Sequence, residues 1–464
     1  MLSFAASVSA AGQSPDTVPA PVMADQGRAM KKVTLSREEC VAIALSDNPT
    51  LRVSGLEITR ADYSKKETIA ALFPTIDFSG AYQRAIDLQT IRMNMGGQSQ
   101  AFKMGSDNTW NLGFSASVPL IAPQLWKSIS ISDIQILQNM EQARASRLDM
   151  VDQVNKAFYA LLLARESKAV IERNYENAKF NAEVYAKQFQ AGTATEYDVL
   201  RSSVQVSNVE PELLQADIAI RQASLQLKVL LGLPEDVEVS TDDRLENYRR
   251  EMYAYLLDSG RTPEKNSSLR QLEISKSLAK ANLDLKKRAW IPTLGASFNY
   301  NWNAMNSGNA LKNLKFYPYS TVGLQVSVPI FSGGSKYYGV KQAEVQLKEI
   351  DLQKQNLVSA LQMQIDLAVD NINRQVAQID SSRKGMQQAA KAHEIMQKSF
   401  EIGAATYLDL RDSELADTSA QLAYYQSIYN FLISSSELDL LLGKESDACL
   451  PAADYNSRYN KIVK

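Results

Sequence analysis

One histidine and two cysteines in 464 residues leave little material for metal or redox chemistry. His393 is the sole imidazole for a nucleophile–histidine–acid set. It falls mid-pattern in a long helical stretch, where a polar helix-face residue is the plainer reading. Cys40 and Cys449 cannot build a zinc site or a disulfide framework. No cofactor, no metal centre and no enzyme activity are therefore expected. The net charge is −2, so the basic excess of a nucleic-acid binder is missing. No run of about 18 apolar residues occurs anywhere, which excludes a transmembrane helix. A closed β-barrel remains the one way this chain could span a membrane.

Breakers are also scarce where they matter. Residues 124–190 contain neither proline nor glycine, and Val151, Val154, Phe158, Leu161 and Leu162 carry three/four apolar spacing. Such a helix is roughly 100 Å long. Ser335 to Glu401 forms a second stretch of this kind, interrupted by Gly339 and Gly385 alone. Shorter helices are predicted over 196–231 and 407–442, and others over 49–73 and 267–290. Each pair of short helices laid end to end nearly matches one long helix.

What is present is present twice. Ala71-Leu72-Phe73-Pro74-Thr75-Ile76 returns as Ala289-Trp290-Ile291-Pro292-Thr293-Leu294, 218 positions later. Phe189-Gln190-Ala191-Gly192 returns as Phe400-Glu401-Ile402-Gly403, and Leu230-Leu231-Gly232 as Leu441-Leu442-Gly443, both 211 later. A period this long marks a duplicated half-protein rather than a solenoid unit. The halves read as 36–232 and 264–443. Around them lie 1–11, read as the tail of a secretory signal ending near Val8-Ser9-Ala10, an extended segment 12–35, a linker 233–263 and a tail 444–464.

Local chemistry sets the element starts. Ser36-Arg37-Glu38-Glu39 is a capping box, and Asn48-Pro49 reads as N-cap and first helical residue. After Pro74 the period changes to two, with Ile76, Phe78 and Tyr82 against Asp77, Ser79 and Gln83. Strands are predicted at about 75–87, 108–119, 293–303 and 320–329, with a polar loop between the first two. Apolar on one face and small or polar on the other suits a lipid-facing barrel around a wet lumen. An ordinary hairpin on a soluble core shows the same alternation.

Strands flanked by Pro74, Pro119, Pro292 and Pro329, long paired helices and the internal duplication together resemble the TolC-type outer-membrane efflux family. Ser327-Val328-Pro329-Ile330-Phe331-Ser332-Gly333-Gly334 is similar to that family's barrel-to-helix junction. Gly192 with Asp198-Val199-Leu200, and Gly403 with Asp409-Leu410, are similar to its two helical tips. The resemblance implies a mostly helical homotrimer. Each chain would give four strands to a transmembrane β-barrel and its helices to a periplasmic α-helical barrel. It also implies a periplasmic adaptor and an inner-membrane pump as partners, with outer-membrane lipid around the strands. The competing reading is a coiled-coil scaffold of the cell envelope without a pore, which explains the helices but not the strands.

The resemblance also assigns residues. Asp409 and Asp412, three apart on one helix face, match the acidic rings of the closed periplasmic entrance, whose carboxylates should raise one another's pKa values. A solvated acidic pair at a helix start is the alternative. Asp198, Phe400 and Arg411 are gate or latch candidates, with Arg201 as a substitute. Ala405 stands where well-studied members carry a latching arginine. Gly192, Thr193, Gly403, Ala404 and Thr406, with Thr195, form the expected adaptor-docking tips. Met93, Met95 and Met104 could offer thioethers to Cu(I), but an external loop with incidental methionines is the plainer reading. A Cys40–Cys449 disulfide is left open.

Overall fold

The computed structural model describes residues 31–95, 98–234, 236–251, 262–312, 314–445 and 462. The signal reading of 1–11, most of the tail and Cys449 lie outside them. Each half runs helix, strands, very long helix, shorter helix. In the first half these are α1 (Arg37–Asp47), α2 (Pro49–Ala70), strands β2 (Thr75–Arg84) and β5 (Asn108–Ile121), α3 (Pro123–Gln190) and α4 (Glu196–Leu231). In the second they are α5 (Ser267–Arg288), β7 (Thr293–Asn306), β8 (Tyr317–Ser327), α6 (Ser335–Glu401) and α7 (Tyr407–Leu442).

Two short pieces of sheet lay beyond the sequence expectations. The presumed loop 88–107 holds a hairpin, β3 (Gln89–Met95) with β4 (Gln98–Met104), in which Ile91 faces Phe102. Strand β1 (Lys31–Thr34) pairs in parallel with β6 (Val237–Ser240), tying the N-terminal segment to the linker. Pro119 also departs from expectation. It lies within β5 at a bulge, and the strand continues to Ile121 before Pro123 opens α3. Helix α2 stops at Ala70 rather than 73. Leu72 N–H and Phe73 N–H turn back to Ile69 and Ala70 in a tighter turn, because the residue before Pro74 is pushed out of the helical region.

The main sheet runs β2-β5-β7-β8, antiparallel throughout. Register puts Ile76, Ala116, Phe298 and Val322 in one cross-strand row and Asp77, Ser115, Asn299 and Thr321 in the next. Neighbouring rows point to opposite faces. The apolar face adds the aromatic pairs Phe78–Phe114, Tyr82–Trp110 and Tyr300–Trp302, with centroids 4.4–4.9 Å apart. Val322 on that face is 80% exposed and Phe78 60%, so this apolar surface has no cover within the chain.

The helices stack end to end as the lengths implied, and the joints are themselves duplicated. Asn48 caps α2 through Thr50 N–H while its amide donates to Leu230 O of α4 at 2.8 Å. Asn266 caps α5 through Ser268 N–H and donates to Leu441 O of α7 at 2.8 Å. Gly232 and Gly443 end the incoming helices at φ +67° and +63°. A side chain at Gly443 would strike the Lys265 carbonyl oxygen. The largest core sits beside the first joint, where Cys40, Phe158, Leu161, Leu227, Tyr424, Ile428 and Phe431 pack together. Cys40 there is a fully buried thiol, pushed up to about 12 by desolvation.

Arg144 of α3 organises the second joint. Its guanidinium is 3% exposed and donates to Glu141 (2.9 Å), Glu445, Ser267 Oγ (3.1 Å), Lys265 O (3.0 Å) and Gly443 O (3.3 Å).

Candidate functional site at the helical tips

Far from the sheet, α3 turns into α4 and α6 into α7 through the same device. Gly192 and Gly403 adopt φ +72° and +76°, where a glycine avoids the Cβ penalty. Thr193 N–H reaches Gln188 O (2.9 Å) and Ala404 N–H reaches Ser399 O (2.8 Å), closing both helix ends. Space around both glycines is open to at least 4 Å.

The following helices start on matching capping boxes. The Thr406 hydroxyl donates to Asp409 Oδ2 at 2.6 Å and accepts from the Asp409 N–H at 3.3 Å, and the Thr406 N–H donates to the same carboxylate at 3.0 Å. Thr195 and Asp198 repeat this at 2.6, 3.2 and 3.1 Å. Asp198 and Asp409 thus satisfy end N–H groups first of all. Their hydrogen bonds from the threonines hold both carboxyls below the ordinary range. Within one protomer this runs opposite to the upward shift expected of acidic rings. Asp409 and Asp412 are exposed in the single chain, an arrangement that a pore lining and a solvated helix-start pair share.

Phe400 belongs to a cluster that sequence reasoning missed. It lies 6.4 Å from the rings of both Tyr185 (α3) and Tyr407 (α7), which meet edge to face at 5.2 Å. The Arg201 guanidinium of α4 covers Tyr407 at 5.4 Å. All four long helical arms therefore converge here. Arg411 is half-buried beside this cluster and bears on the Tyr407 hydroxyl electrostatically. A further unforeseen group is Glu414, two residues past Asp412 and 7% exposed.

The proline sites mark the opposite end. Pro74 and Pro292 stand immediately before β2 and β7, and Pro329 lies two residues past β8. Among the described residues no group of three or more His, Cys, Asp or Glu is placed to hold a metal. Met104 is exposed, on the edge of the β3–β4 hairpin.

A family description, outer membrane efflux protein, matches residues 41–233 and 260–444, the two halves with the linker between them. The chain belongs to the outer membrane efflux protein family. Like other outer membrane efflux proteins it is an outer-membrane transport channel, with its helices in the periplasm. Among curated relatives, the outer membrane protein TolC of Vibrio cholerae is 21% identical over 389 residues, 82% of this chain and 84% of that one. The alkaline protease secretion protein AprF of Pseudomonas aeruginosa is 21% identical over 70% of this chain and 68% of its own length. The fold matches the Campylobacter jejuni CmeC outer membrane channel with a TM-score of 0.68 at 16% identity, covering 97% of this chain and 98% of that one.

Proposed function

We propose that three copies of this efflux protein assemble into one continuous exit duct. Through it, an inner-membrane pump and a periplasmic adaptor discharge cargo across the outer membrane. The observation that carries this reading is the open sheet. Its edge strands β2 and β8 have no partner among the described strands, and its apolar face is bare. Bare edges in lipid are prohibitively costly, so the sheet must close on further copies. Three copies supply twelve strands, and a cyclic arrangement joins β8 of each to β2 of the next. The polar row Asp77, Ser115, Asn299 and Thr321 then lines the lumen. A scaffold without a pore has no use for such a sheet. The duct conducts and does no chemistry. The duct serves an efflux or a type I secretion system, two roles that the relatives' names for pyoverdine export and alkaline protease secretion represent.

At the periplasmic end, Asp409 and Asp412 ring the narrowest part. Converging carboxylates in a confined site attract multivalent cations, which obstruct flow. The Gly192 and Gly403 turns, with Thr193, Thr195, Ala404 and Thr406, meet the adaptor. Phe400, Tyr185, Tyr407 and Arg201 hold the tips together in place of the arginine absent at Ala405, with Asp198 and Arg411 beside them. The test is single-channel conductance in a planar bilayer with a trivalent cation on the periplasmic side. Wild type is blocked, and Asp409→Ala with Asp412→Ala is not. Equal block of both removes the aspartates from the entrance.

A further inference from the structure

The sole histidine and a buried carboxylate meet just above the tip. Glu414 projects from α7 into the seam with α3 and α6. Asn177 of α3 hydrogen-bonds the carboxylate, while Oε1 is fully enclosed without a partner. One turn further, Asp417 Oδ2 accepts from Gln421 at 2.7 Å and its Oδ1 is likewise enclosed and unpartnered. From α6, His393 Nδ1 lies 3.1 Å from Ser413 Oγ, on the residue next to Glu414, and its field favours the ionised carboxylate. Arg173 of α3 is engaged elsewhere, on Gln421 Oε1 at 3.2 Å. Tyr407, on the same helix, feels the Glu414 charge. Arg411, one turn earlier on α7, is half-buried and also bears on Tyr407. No full cation salt bridge reaches it among the described residues. Assembly can only bury this seam further.

A buried carboxylate with an unmet oxygen beside another acid is much costlier ionised than neutral. Burial pushes the Glu414 carboxyl up from its ordinary value near 4.5; the Asn177 hydrogen bond and the field of His393 oppose it without cancelling it, and Asp417 adds a smaller push upward. We propose that Glu414 carries a proton in the packed tip and releases it when α7 lifts from α3 and α6, so that acid holds the periplasmic mouth shut. This rests on the reading of the tips as the entrance. The sign follows from linkage. A raised carboxyl stabilises the packed state fully below its ordinary value, and that stabilisation fades as pH climbs through the raised value. Opening, which wets Glu414, takes up the difference by releasing protons.

The experiment records open probability of the purified trimer in planar bilayers from about pH 4.5 to about pH 8. Each Glu414 that ionises on opening raises the open-to-closed ratio roughly tenfold per pH unit, and three acting together give a steeper rise. Glu414→Gln, an isostere of the neutral acid, should abolish that slope and stay mostly closed. The slope should survive in Asp409→Asn with Asp412→Asn, whose separate signature is loss of trivalent-cation block. A slope retained in Glu414→Gln, or lost in the aspartate pair, overturns the proposal. Persistent block in the aspartate pair overturns the entrance reading instead. Amide hydrogen exchange over residues 407–414, with intrinsic rates divided out, provides a readout independent of conduction. Protection should fall with rising pH in wild type and stay constant in Glu414→Gln. A flat wild-type profile refutes the linkage.

Discussion

Replacing Arg144 with Met keeps most of the side-chain volume and removes the charge and the fork. Five acceptors lose their donor at once: the carboxylates of Glu141 and Glu445, the Ser267 hydroxyl and the carbonyls of Lys265 and Gly443. Glu141 is fully buried, so water cannot replace the cation there. Hydrogen bonds to a charged group contribute about 1.5–3 kcal/mol each, but acting on one group they do not add. The better guide is the loss of one partner from a buried ion pair, about 3–5 kcal/mol per protomer. That corresponds to a folded-to-unfolded ratio smaller by roughly two to nearly four orders of magnitude. The damage should be local to the joint between α5 and α7, with the sheet untouched. Helical circular dichroism of the detergent-solubilised trimer in guanidinium, compared with wild type, measures it. Arg144→Met with Glu141→Leu should recover part of the loss, since no buried acid then faces an apolar neighbour. A cost below about 1 kcal/mol for Arg144→Met alone would falsify the view that this guanidinium secures the joint.

Three further outcomes are expected. Phe298→Lys, on the apolar face, should cost about 2–4 kcal/mol near the bilayer midplane and reduce the yield of membrane trimer, while a lumen change such as Asn299→Lys should not. Ala404→Trp should abolish export yet leave trimer and barrel intact; it avoids the backbone strain that any side chain at Gly403 would add, and normal export would argue against docking there. Thr406→Val should return the Asp409 carboxyl toward its ordinary value near 3.8. Because that carboxyl is held low, its contribution to tip order is present above that value and fades as pH falls through the lowered one, so the variant should lose this acid sensitivity. Carboxyl-carbon NMR titration of labelled protein reports it.

How much was legible follows from where the determining chemistry lies. Helices 196–231 and 407–442 end where expected because both boundaries are local: a threonine capping box at one end and a left-handed glycine at the other. The Ser36–Glu39 box and the Asn48 cap were readable for the same reason. The β3–β4 hairpin was missed although Gly96-Gly97 separates two alternating runs, a recognised turn signal. Pairing of β1 with β6 joins four-residue strands about two hundred positions apart, and nothing local announces it. The same holds at the tips. Tyr185 and Glu414 look like ordinary helix residues until the helices are brought together around them. Duplication helped with elements but does not extend to every site. Arg144 serves the second joint alone, and the equivalent position 211 residues later is Gln355.

The duplicated joints make the duct a ruled object. Asn48 meets Leu230 and Asn266 meets Leu441, so each short pair is pinned against an unbroken long helix. One residue inserted into α3 below the joint turns everything beyond it by about 100° and advances it about 1.5 Å. No loop lies along α3 to absorb that shift before Gly192. The smallest clean extension is seven residues added together to α3, α4, α6 and α7, two turns and about 10 Å. Relatives that reach across periplasms of different depth should therefore differ in steps of this size, taken in four places at once.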